Sequence, residues 1–104
     1  MRGNDAGEQA EGGAEGPWAR RMREKLVAEF NPSELAIVDE SEGHRGHGGY
    51  REGGETHFRV HVRSARFDGK SRVQRQRMVM SLLKPEMDER VHALSLSLSG
   101  EAGP

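Results

Sequence analysis

THFRVHVR, residues 56–63, is the stretch whose reading decides the fold. Phe58, Val60 and Val62 fall on one side of an extended chain, and His57, Arg59, His61 and Arg63 on the other. Successive strand side chains point to opposite faces, so this strict alternation predicts a strand with one face on a core and one in water. A half-buried strand needs neighbours, and both flanks of the sequence supply them. ELAIVDE (34–40) is short, apolar and β-branched at Ile37 and Val38, which predicts another strand. VHALSLSL (91–98) alternates again and predicts a third, with His92 on the same face as Leu94, Leu96 and Leu98.

Helical periodicity fills the gaps. Trp18, Met22, Leu26 and Phe30 recur every four residues after Gly16-Pro17, and Asn31-Pro32 closes the run, so 17–30 reads as an amphipathic helix. KSRVQRQRMVMSLLK (70–84) reads as a second helix, N-capped by Ser71, with Val73, Val79, Met80 and Leu83 as its core stripe and Pro85 at its end. EMDER (86–90) predicts a further short turn of helix. The order α-β-β-α-(short α)-β implies an α+β layer fold: a three-stranded sheet with helices packed on one face. The first two strands form an antiparallel pair, and the helical crossover allows the third to run parallel, giving a mixed sheet.

The chain has 104 residues, enough for one domain, and its 33% hydrophobic content limits it to a modest core. Residues 1–15 lack periodicity and are expected to form a disordered tail, the domain to span 16–100, and 101–104 to fray. Cysteine is absent, which excludes disulfides and any thiolate site made by this chain alone. No run of apolar residues is long enough to span a membrane, the start lacks a targeting pattern, and the cytoplasm is the expected compartment. Of the net charge of −1, Arg2 with Asp5, Glu8, Glu11 and Glu15 accounts for the acidic excess, leaving the rest mildly basic. That balance is too weak to argue for nucleic acid by itself.

Four motifs invite a chemical reading. Gly69-Lys70-Ser71 matches the end of a phosphate-binding loop, but the required first glycine falls at Ser64, so a capped helix start explains it better. Gly43–Gly46 and Gly46–Gly49 match a G-x-x-G clamp, yet they lie between strands rather than between helices. Lys70, Arg72, Arg75 and Arg77 concentrate positive charge where the helix dipole opposes it, as a solvated face or as a surface for an anionic partner. His44 and His47 sit in the glycine-rich stretch 41–54, whose length of about fourteen residues exceeds what a hairpin needs. Imidazole is a common metal ligand, but two histidines do not close a site, and a lone histidine among leucines, as His92 is, is more often a hydrogen-bonded core residue. No nucleophile–base pair and no paired carboxylates stand out, so an enzyme is not expected.

Several of these stretches in combination resemble the BolA family: DES (39–41) before a histidine-bearing loop, ETHFRV (55–60), F-x-G-K-S-R-V-x-R-x-R (Phe67 to Arg77) and VHALS (91–95). The resemblance covers about residues 17–100 and implies a KH-like fold of the class II type, in agreement with the order read above. It implies an adaptor that pairs with a monothiol glutaredoxin and shares a [2Fe–2S] cluster with it and with glutathione. In members of the loop-histidine type, one ligand comes from the loop and one from the V-H-A-L strand; the matching positions are His44 and His92, with His47 as an alternative loop ligand. The resemblance also implies transcriptional regulation, with Lys70, Arg72, Arg75 and Arg77 contacting DNA. The chain is then a monomer alone or a heterodimer with its partner. One position departs from the family pattern, since Gln76 stands where x-R-H-R has its histidine.

Overall fold

The computed structural model describes residues 15–41 and 53–102. Helix α1 spans Pro17–Phe30. Pro17 occupies its first turn, and Asn31 ends it in the left-handed conformation, with its N–H on the Val27 carbonyl. Met22, Leu26 and Phe30 are buried as the periodicity predicts, and each such side chain contributes about 1.5–3 kcal/mol relative to exposure. Trp18 lies one residue off the buried stripe: Ala19 takes that place, and the half-buried indole carries the Arg21 guanidinium 4.5 Å from its ring centroid.

Strands β1 (Glu34–Asp39), β2 (His57–Arg63) and β3 (Ala93–Ser99) form one sheet in that order. β1 pairs antiparallel with β2, and β3 pairs parallel with β2, so the mixed sheet is as expected. Between β2 and β3 run a short 3-10 helix (Ala65–Phe67), helix α2 (Arg72–Leu82) and helix α3 (Lys84–Glu89). Ser71 caps α2 reciprocally with Gln74: its hydroxyl accepts the Gln74 backbone N–H at 3.1 Å and the Gln74 side-chain Oε1 accepts the Ser71 backbone N–H at 2.7 Å. Pro85 lies in the first turn of α3, where its missing N–H costs nothing, so the short helix begins earlier than EMDER suggests.

The core is one cluster in which Met22, Leu26 and Phe30 of α1 meet Phe58, Val60 and Val62 of β2, with Phe67, Val79, Leu83 and Val91 closing it. The Phe30 and Phe67 rings sit 4.8 Å apart. Two members of the predicted α2 stripe are not core residues: Val73 is 56% and Met80 37% exposed, whereas Met78 and Leu82 pack against the cluster. The helix is rotated so that a narrower face meets the sheet, which an apolar pattern interrupted by Arg75 and Arg77 does not define. At the C-terminus, the Glu101 and Ala102 amides both donate to Asp68 Oδ1, at 2.7 and 3.0 Å, tying this segment to the domain. The tail expected over residues 1–15 lies outside the described residues except for Glu15, which pairs with Arg23.

Candidate metal centre at the loop end of the sheet

The end of β1, the start of β2 and the start of β3 share one end of the sheet: Asp39 is opposite Phe58, and His57 is opposite Ala93. The histidine-bearing loop leaves and re-enters the fold here. Its base is held by a dense polar network. Ser41 Oγ donates to Asp39 Oδ1 at 2.5 Å and accepts the backbone N–H groups of Thr56 (2.9 Å) and His57 (3.2 Å). Asp39 also accepts the Ser41 and Glu55 amides, at 2.9 and 3.1 Å. Arg90 donates through Nε and Nη2 to the Gly54 carbonyl. With these donors satisfied, Ser41 and Thr56 can be buried without the penalty of an unpaired polar group.

The backbone over 53–55 is left-handed, with φ of 95°, 75° and 59° at Gly53, Gly54 and Glu55. At the two glycines this conformation carries no Cβ penalty. Glu55, a residue that resists it, has a second task. Its Oε1 accepts the N–H groups of Trp18 (2.8 Å) and Ala19 (3.0 Å), capping α1 from 37 residues away. Gly16 leaves room for this, since a Cβ there would collide with the Glu55 carboxylate.

His92 lies just before β3, not on its leucine face. Its N–H and that of Ala93 both donate to the Thr56 carbonyl, at 2.7 and 3.1 Å, so the chain bends as it enters the strand. Val91 turns into the core and the His92 side chain faces outward, exposed. The core reading of His92 is therefore corrected: it is a surface imidazole. His57 is the reverse case. Alternation assigns it to the polar face with His61, but it is only 5% exposed. Its Nδ1 lies 2.9 Å from Thr56 Oγ1, and its ring centroid is 5.2 Å from that of His92. His61 instead pairs across the sheet with Glu34 (2.9 Å) and Ser97 (3.3 Å).

His44 and His47, the two loop histidines, lie outside the described residues. Among the described residues, no group of three or more histidines, cysteines or carboxylates is placed to hold a metal. The basic group is elsewhere. Lys70, Arg72 and Arg77 are exposed around the start of α2, and Arg75 donates to the carbonyls of Lys70 (3.0 Å) and Leu98 (3.4 Å). Leu98 pairs with Val62, far along the sheet from the His57–Ala93 pair, so the cations lie apart from His57 and His92. Sequence reasoning missed His57 and Glu55: the first is hidden by its place in a polar alternation, and the second acts through a tertiary contact with no local signal.

A family model described as BolA-like protein matches residues 26–102. The chain belongs to the BolA family. It is 49% identical over 80 residues to the chloroplastic protein BOLA1 of Arabidopsis thaliana, covering 75% of this chain and 50% of that protein. It is 43% identical over 84 residues to human BolA-like protein 1, covering 81% of this chain and 58% of that one. The chain thus spans about half the length of these curated relatives. Among solved structures, the BolA domain of SufE1 from Arabidopsis thaliana superposes with a TM-score of 0.76 at 40% identity, covering 86% of this chain and 98% of that domain. Mouse BolA1 superposes with a TM-score of 0.70 at 34% identity, covering 98% and 80%. The KH-like α+β fold expected from the sequence is the BolA fold, and membership supports a BolA-type regulator or adaptor of a generally non-enzymatic family. No helix among the described residues is long and apolar enough to cross a membrane.

Proposed function

We propose that this chain is a non-enzymatic adaptor that binds a monothiol glutaredoxin and co-ligates a [2Fe–2S] cluster, in iron–sulfur trafficking or iron sensing. The observation that carries this reading is the outward-facing His92 imidazole at the loop end of the sheet, backed by the His57 ring. A chain without cysteine can offer a cluster only nitrogen or oxygen donors, and an exposed imidazole fits that role. His92 and the loop residue His44 would hold the cluster together with the glutaredoxin and glutathione thiols, and His47 is the alternative loop ligand. The cluster would supply an exchangeable iron centre, its potential raised by histidine ligation. The protein's own contribution is placement. The Ser41–Asp39–Thr56 network fixes both ends of the loop, and the bent entry to β3 turns His92 outward. Ligation requires neutral imidazole, so cluster sharing should weaken on acidification.

Mixing the protein with cluster-loaded glutaredoxin should change the visible absorption and circular dichroism spectra, and His92→Ala should abolish the change. His44→Ala and His47→Ala, made separately, decide which loop imidazole takes part. A wild-type spectrum from His44→Ala/His92→Ala refutes the ligand assignment.

A second reading, a DNA-binding transcriptional regulator, is favoured by the exposure of Lys70, Arg72 and Arg77. Arg75 contributes less because backbone carbonyls already engage it. This reading requires binding that falls steeply with salt, and no shift of duplex DNA at low salt would exclude it.

A further inference from the structure

Among the described residues, the order β1-β2-β3 makes β3 an edge strand, and its hydrogen bonding shows which groups the edge presents. The Ala93 N–H donates to Thr56 and the Ser99 carbonyl accepts from Ser64, both on the β2 side. A strand residue directs its N–H and C=O to the same side, and neighbours alternate. Ala93, Ser95, Ser97 and Ser99 therefore bond to β2, while the backbone groups of Leu94, Leu96 and Leu98 face the open edge. The Arg75 guanidinium on the Leu98 carbonyl agrees with this assignment.

Nothing in the strand guards that edge. ALSLSLS contains no charge and no proline, the usual devices against unwanted pairing, whereas the edge strand on the opposite side carries Glu34 and Asp39. Beside the β3 edge lies an open groove of about 550 Å³, walled by Lys70, Arg72 and Arg75 and floored by Leu96 and Leu98. Among the described residues, no carboxylate lines it.

We propose that this edge takes up an extended, acidic segment of a partner protein as a fourth strand. The main-chain groups of Leu94 and Leu96 would supply the ladder, and the side chains of the added strand that face the groove would meet both the leucine floor, through apolar residues, and Lys70 and Arg72, through carboxylates at other positions of that same face. Single-stranded nucleic acid fits less well, because no aromatic side chain lines the groove to stack a base. A second copy fits less well too, since pairing β3 with β3 brings two sets of these cations to one strand pair.

The test uses the full chain and a short capped threonine peptide carrying valine and glutamate by turns at every second position, so that both face the groove, with its lysine-for-glutamate counterpart and oligothymidine as comparisons. Amide hydrogen exchange at Leu94 and Leu96 should slow on adding the acidic peptide and stay unchanged with the other two. Lys70→Glu/Arg72→Glu, at exposed positions, should weaken acidic-peptide binding by about tenfold or more. Leu96→Pro blocks the edge without removing a bond to β2 and should abolish binding; if it fails to fold, the charge reversal decides alone. Equal binding by the charge-reversed protein, binding that leaves both amides unprotected, or protection by oligothymidine instead overturns the proposal. So does protection without any peptide, whether it accompanies a sedimenting dimer or disappears when residues 1–14 are removed.

Discussion

Glu55 shows how one residue serves two elements. Its left-handed backbone, φ 59°, costs about 1–2 kcal/mol in a non-glycine residue. Its carboxylate caps two amides of α1, an arrangement that returns about 1 kcal/mol. Glu55→Ala loses the cap and keeps the strain, whereas Glu55→Gly loses the cap and relieves the strain. Urea unfolding should therefore rank Glu55→Gly above Glu55→Ala in stability, with faster amide exchange at Trp18 and Ala19 in both. The opposite order would show that the left-handed turn is not retained in solution. None of this was legible in the sequence, because a glutamate after two glycines says nothing about a helix that begins at residue 17. The glycines were legible as loop formers, but at Gly53 and Gly54 their use is a specific backbone turn rather than slack.

At the scale of the elements, the strands were legible because one face of the sheet is covered and the other is wet. Phe58, Val60 and Val62 are buried, and the open face is laced by ion pairs. Glu34 sits at the centre of these, accepting from His61 at 2.9 Å and Arg63 at 3.3 Å. The His61 hydrogen bond, followed by the Arg63 guanidinium, lowers the Glu34 carboxyl below its ordinary 4.5, against the opposing effect of partial desolvation. A carboxyl that is more acidic when folded stabilises the fold above its unfolded value and loses that contribution as pH falls through the folded one. Glu34→Gln should therefore lower stability by a constant amount above about pH 4.5 and flatten the loss on acidification below it, so that the two curves converge in acid. Thermal unfolding followed from pH 3 to pH 7 checks this, and parallel curves for the two proteins would contradict it. Helix α2 was less legible than the strands. Its start was legible from Ser71 and its end from Pro85, but its buried face was not, because only Val79 among its residues is fully buried.

For the whole molecule, Glu86 joins the C-terminal half to α1. The carboxylate is fully buried on α3, and Arg21 and Lys25 reach it from α1 at 3.0 and 2.9 Å while remaining partly in water. The burden of this triad falls on the carboxylate. Arg21→Met/Lys25→Met strands it in the core and should cost about 3–5 kcal/mol, whereas adding Glu86→Met should recover most of that loss. Chemical denaturation of the double and triple variants measures the difference, and a triple variant no more stable than the double would contradict the reading. The same long-range assembly makes the candidate metal site. The helical crossover returns the chain parallel to β2, which sets His92 beside His57 and beside both anchors of the loop that carries His44 and His47.

The sequence by itself determined the order of the elements, the mixed sheet, the Ser71 cap of α2 and the BolA resemblance, because periodicity and local capping are short-range and local physics enforces them. Tertiary structure alone decided that His92 faces outward while His57 is buried, that Glu55 caps α1, and that the cations lie beside a strand edge instead of beside His57 and His92. Each of these depends on which distant backbone group satisfies a donor or an acceptor, and no local pattern encodes that choice.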